Sequence, residues 1–178
     1  MYKNSVVIYS LLRDIELDEE AAATILEFIK KAAARAERAA HSREDLEVLA
    51  FNVIRLFNAI EHIFGLIAKD MDESVPGGTE SHKDLLRQMA TALPGKRPAV
   101  VDMDTIQALD DLRALRHALI HSYRDSVEWD KMAATIKAVP EGLKRLRRDL
   151  HAFRTALLTI AQSIDAQEQG REIPESSL

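Results

Sequence analysis

The sequence predicts an all-α protein, an antiparallel bundle of four to five main helices. Three observations carry this. Glycine and proline number only 6 and 5 in 178 residues, and most stand in two clusters, Pro76-Gly77-Gly78 and Pro94-Gly95-Lys96-Arg97-Pro98. Between the clusters leucine and alanine dominate, and apolar residues recur at spacings of three and four, the period of a helix with one buried face. No pair of alternating apolar runs flanks a hairpin turn, and no internal repeat appears. Long helices joined by short links become antiparallel neighbours.

The elements follow in order. Residues 4–39 form one or two helices, with Asp18-Glu19-Glu20 able to open the second part because acidic residues suit a helix N-terminus. Ser42 is placed as the N-cap of a helix running to about Asp72, burying Leu46, Leu49, Val53, Leu56, Ile60, Ile63 and Ile67. Residues 80–92 make a short helix, and Asp104 to Tyr123 a longer one. Glu128 to Gln167 is the last helix, with a kink expected at Pro140, which lacks a backbone donor. Residues 1–168 are expected to form one domain and residues 169–178 a loose polar tail. A chain of this length buries about 70% of its unfolded surface.

Composition removes several classes of function. The chain has no cysteine, so disulfides, thiol nucleophiles and zinc–thiolate sites are absent, and a reducing cytoplasm suits it. No apolar run approaches the roughly 18 residues of a membrane span, and Met1 to Leu12 lacks the basic start and small-residue cleavage site of a secretory leader. No membrane partner is therefore expected. The net charge of −5 argues against a general nucleic-acid coat, so any contact with a phosphate backbone needs a local basic patch.

The segment Arg116-His117-Ala118-Leu119-Ile120-His121-Ser122-Tyr123 is the most informative. If Leu112, Leu115 and Leu119 are the buried stripe, Arg116 and Tyr123 fall at its edge and His121 lies about 140° round from Arg116. Arg113, His117 and Arg124 come on the arc between them. A guanidinium beside an apolar stripe is costly unless something pairs with it. Each signal also has a plainer reading. His117 and His121, one turn apart, form either a solvated face or half of a metal site, with Asp110 the nearest carboxylate at helical ligand spacing. No glutamate stands three residues before any histidine, which disfavours a ferritin-like di-metal centre, and no metal or cofactor is expected. Arg116 could pair with Asp72 or Glu61, and Tyr123 could be a core tyrosine at a helix end. His62 and His82 fit helix packing or capping, with His82 also placed to support a cleft. Lys144-Arg145-Leu146-Arg147-Arg148 is a solvated basic face or, through Arg147 and Arg148, an extension of a phosphate-binding surface. Trp129 is a packing anchor ahead of a base-stacking platform.

The arginine, histidine and tyrosine of this segment resemble the motif of HEPN domains, most closely the HepT toxins of MNT–HEPN toxin–antitoxin systems. The resemblance extends over roughly residues 50–135, through Phe57-Asn58-Ala59-Ile60-Glu61-His62-Ile63-Phe64, Pro76-Gly77-Gly78, His82-Lys83-Asp84-Leu85-Leu86 and Glu128-Trp129-Asp130.

That resemblance implies a homodimer whose motif helices face across a two-fold axis, and metal-independent cleavage of RNA with the substrate 2′-hydroxyl as nucleophile. Arg116 would stabilise the phosphate and His121 act as general acid or base, with His117 and Arg113 supporting. It also implies an MNT-type nucleotidyltransferase antitoxin that transfers AMP to Tyr123, adding bulk and negative charge beside the arginines. Ile120 and Leu109, taken as exposed apolar residues flanking the motif, are the expected dimer contacts. Two rival readings stay open. One is a non-catalytic HEPN module that binds nucleotide or scaffolds a nucleotidyltransferase; the other is a metal-binding bundle using His117 and His121.

Overall fold

The computed structural model describes residues 4–38, 40–121 and 128–171. The described residues form five α-helices: α1 (Ser5–Arg38), α2 (Arg43–Ile67), α3 (Ser81–Met89), α4 (Met103–His121) and α5 (Trp129–Arg171), with a π-helical turn (Ala68–Asp72) extending α2. The expectation of an all-α bundle holds. α1 is a single helix, and its acidic triplet opens no second one. Instead Asp18 pairs with His62 on α2 and Glu19 with Arg154 on α5. α5 runs through Pro140 and is helical as far as Arg171, beyond the expected Gln167, so residues 169–171 of the expected loose tail are helical and residues 172–178 lie outside the described residues.

The core assembles around α2. Ser42 caps it, its side chain accepting from the Asp45 backbone N–H. All seven residues assigned to its buried stripe are buried, and Phe57 and Phe64 join them as its largest fully enclosed side chains. α1, α3 and α4 pack on α2, while α5 covers α1 and α4. By length and composition Arg43–Asp72 could cross a membrane, with a mean hydropathy of 1.3 in its most apolar stretch. This corrects the reading that no run approaches spanning length. Half of that stretch is buried inside the bundle, so its apolar character is that of a helix covered on several sides.

The two glycine–proline clusters are the sharp turns of the fold. Gly78 and Gly95 adopt φ of 93° and 75°, where a side chain would be strained. Between them α3 is held by a buried ion pair. Arg97 Nε and Nη2 donate to the two Asp72 carboxylate oxygens at 2.6 and 2.7 Å. Its remaining N–H groups donate to the carbonyls of Thr91, Pro98 and Gln88. All five guanidinium donors are thus spent.

Candidate functional site

α4 is the motif helix, and it is covered by α2, α3 and α5. Its start is pinned to α5: Asp149 accepts from the Asp102 backbone N–H and from the Thr105 hydroxyl, at 3.1 and 2.6 Å. Thr105, Leu109, Leu112 and Leu115 are buried. Leu109, expected as an exposed dimer contact, is only 2% exposed. With neighbours on three sides, the covered arc of α4 is wider than a single stripe. Ile120 does stand out at 43% exposure.

Arg116 is half-buried at the edge of that arc. It pairs with neither Asp72, which belongs to Arg97, nor Glu61, which belongs to His82. Its Nε donates to Asn58 Oδ1 on α2 at 3.0 Å, and its guanidinium carbon lies 5.4 Å from the centroid of the buried Phe57 ring. Both partners are uncharged. The amide fixes the direction of the side chain and the ring face attracts the cation, but neither cancels its charge. The two Nη groups make no hydrogen bond or ion pair among the described residues, and their edge matches a phosphate or carboxylate.

His117 and His121 are both exposed, with ring centroids 4.2 Å apart. His121 Nδ1 lies 2.8 Å from the His117 carbonyl oxygen. A carbonyl can only accept, so Nδ1 carries the proton and the neutral ring keeps its lone pair on Nε2. That is the tautomer a general base needs, with the base atom facing away from its own backbone. Two imidazoles alone make a poor metal centre. Among the described residues no group of three or more histidine, aspartate or glutamate side chains is placed to hold a metal.

A cleft of about 610 Å³ opens between α2 and the segment leading into α3, with Asn58 in its lining. His82 lies inside it, paired with Glu61 through Nδ1 and packed edge-on to Phe57 at 6.2 Å. Phe57 therefore carries Arg116 on one contact and His82 on another. The expected supporting role of His82 has a physical route, through the ring under Arg116. His62 lies in the same cleft, and its Nδ1 is 2.7 Å from Asp18.

The other candidates are dispersed. Arg113 is paired with Asp110 one turn earlier, at 2.7 Å. Arg148 is bound to Asp149 and Asp102 at the start of α4, about 27 Å along the helix axis from His121. The Asp102 carboxyl is held below its ordinary range, first by the Thr105 backbone N–H, then by the Thr105 side chain and by Arg148. Arg148 is raised, first by its bond to Asp149. These links make Arg148 an anchor for α4. Arg147 lines a separate exposed groove with Lys30 and Glu27 of α1. Trp129 stacks on His41 at 4.9 Å and ties the α1–α2 turn to the start of α5, as a packing anchor does. Tyr123 and Arg124 lie outside the described residues.

The residues that sequence reasoning left without a role are Phe57 and Asn58. The only signal was position: Phe51, Arg55, Asn58 and His62 recur at three and four along α2, and a polar residue in that stripe must meet solvent or a neighbouring helix.

A family model described as HepT-like protein matches residues 48–157, more than half of the chain. No curated protein and no solved structure matches it.

Proposed function

We propose, from the premise that this chain belongs to the HepT-like protein family, that it is a metal-independent endoribonuclease toxin acting as a homodimer. The observation that carries the proposal is the uncharged setting of Arg116: Asn58 orients it, Phe57 supports it, and its Nη edge is left for an anion. In the cleavage step one His121 Nε2 takes the proton of the RNA 2′-hydroxyl. The 2′-oxygen then attacks the adjacent phosphorus, the bond to the 5′-oxygen breaks, and that oxygen takes a proton from the second His121 across the two-fold axis, which starts the step as the imidazolium and ends it neutral while the first becomes imidazolium. The products are a 2′,3′-cyclic phosphate and a 5′-hydroxyl. Arg116 holds the non-bridging oxygens and stabilises the charge that builds on them.

Dimerisation is supported by the surface around Arg116. Phe51, two turns before Asn58 on the same face of α2, is 61% exposed, and Ile120, one turn beyond Arg116, is 43% exposed. An MNT-type antitoxin would neutralise the enzyme by transferring AMP to Tyr123, which follows His121 by two residues in the sequence; the transferred group would add bulk and negative charge to the motif.

The test is cleavage of a mixed-sequence RNA by the purified protein in a chelator. Arg116→Ala and His121→Ala should each lower the rate at least ~100-fold, the usual worth of an acid–base or electrostatic group, with the sedimentation coefficient unchanged. Wild-type rates in both variants would overturn the enzyme reading. RNA binding with no cleavage by the wild type under any condition would return the chain to the scaffold reading.

A further inference from the structure

The cleft beside Arg116 has a composition that the cleavage step does not use. Asn58 belongs to both: its Oδ1 accepts from Arg116, while its Nδ2 amide donors have no partner among the described residues. Further along, Lys69 offers an ammonium and Ser81 a hydroxyl, neither with a hydrogen bond or ion pair among the described residues. The apolar wall of the cleft is formed by Leu66 of α2, Val75 and Pro76 of the segment that follows and Leu85 of α3, and Val75 is 54% exposed. The acidic member of the lining, Glu61, is already bound to His82. From Asn58 to Lys69 the cleft follows α2 for about 16 Å, eleven residues at the rise of a helix.

We propose that this cleft is the specificity subsite for single-stranded RNA, holding the nucleotide next to the phosphate that Arg116 binds, with Lys69 on the following phosphate. The apolar wall takes the face of a base, which is sequence-tolerant. The Asn58 amide meets a carbonyl or ring-nitrogen acceptor on the base edge, which is not. A volume of about 610 Å³ is large enough to hold a nucleotide. Occupation by RNA is favoured because the cleft continues from the guanidinium that binds the scissile phosphate, with a second cation at its far end. The inference rests on the RNA-cleaving reading and gives that reading a source of sequence preference.

The experiment uses the full-length His121→Ala protein, so that RNA is bound and not cut, and a fluorescein-labelled single-stranded RNA octamer followed by anisotropy across a salt series. Lys69→Ala in that background should weaken binding about tenfold and reduce the slope of log affinity against log salt by about 0.7, the contribution of one phosphate contact on a single strand. Val75→Trp, which fills the cleft from an exposed position, should weaken binding to a similar degree with the melting temperature unchanged. In the catalytically intact background the same Val75→Trp change should redistribute the cut sites mapped on a long RNA. If Arg116→Ala weakens octamer binding while Lys69→Ala and Val75→Trp leave affinity, salt slope and cut sites as they were, the subsite is refuted and the nuclease reading stands. If the cleft variants weaken binding but the wild type never cuts RNA, the subsite stands and the nuclease reading falls. No binding of the octamer by the His121→Ala protein refutes both.

Discussion

Replacing Asp72 by asparagine should be among the most damaging conservative changes in this chain, although Asp72 touches no residue of the motif. The Asp72 and Arg97 side chains are 1% and 0% exposed, so neither charge can turn to water when the other is removed. Breaking one partner of such a pair costs about 3–5 kcal/mol, because the survivor is left buried and uncompensated. With a urea slope of about 2 kcal/mol per M, a loss of about 4 kcal/mol moves the unfolding midpoint down by about 2 M. Arg97→Met should be worse still, since it also strands the carbonyls of Thr91 and Pro98, each worth about 1 kcal/mol or more, while that of Gln88 keeps the Thr91 backbone N–H. For the same reason the double variant Asp72→Leu, Arg97→Met should fail to recover wild-type stability, in contrast to ion pairs whose two members serve only each other. Urea titration followed by far-UV circular dichroism measures all three. A midpoint shift below about 0.5 M for Asp72→Asn would refute the reasoning, since about 1 kcal/mol is the worth of an exposed pair.

Three other outcomes are expected. Gly142→Ala should be neutral to stabilising: a helix interior gains about 1 kcal/mol from alanine, and the new Cβ, 3.2 Å from the Ala108 Cβ, lies against a small cavity of about 80 Å³ into which the neighbours can shift; a melting-temperature loss of more than a few degrees would show the space is not there. Ser42→Ala should raise the Asp45 titration midpoint measured by NMR, because that carboxyl is held low first by the Ser42 hydroxyl and then by Arg35; a group depressed in the folded state stabilises above its unfolded value of about 3.9 and loses that contribution as pH falls through the folded value, so the acid limb of the variant's stability curve should be flatter. Asn58→Asp should keep the bond to Arg116 and the melting temperature yet lower affinity for an RNA octamer, because a carboxylate would cancel the charge that an amide leaves available; unchanged affinity would count against Arg116 as the phosphate-binding group.

The fold was legible wherever the cause was local. The stripe of α2 follows from spacing alone, and the two turns with positive φ at Gly78 and Gly95 stand where glycine and proline cluster. The Ser42 cap rests on its own helix start. What the sequence hid was long-range. Arg97 lies in a turn-forming stretch, and nothing near it announces an aspartate 25 residues earlier. Leu109 seemed exposed because a helix was credited with one buried stripe, whereas α4 is packed by three helices. The basic run at 144–148 was one feature in the sequence and two in space: Arg148 is drawn to Asp102 at the start of α4, while Arg147 faces α1.

The two central arginines of this bundle differ in what surrounds them. Arg97 spends every donor, and its charge is cancelled by Asp72 with both side chains out of water. Such a guanidinium can hold the chain together and can bind nothing else. Arg116 spends one donor, on a neutral amide, over a neutral ring, half exposed to solvent. Its orientation is fixed at little electrostatic cost, and its remaining donors have no partner among the described residues. A cation oriented by uncharged partners is poised for an anion that arrives from outside; a cation matched by a buried carboxylate is part of the core. Sequence shows an arginine in both places, and only the identity of the partner separates the guanidinium that is part of the core from the one proposed to meet an anion.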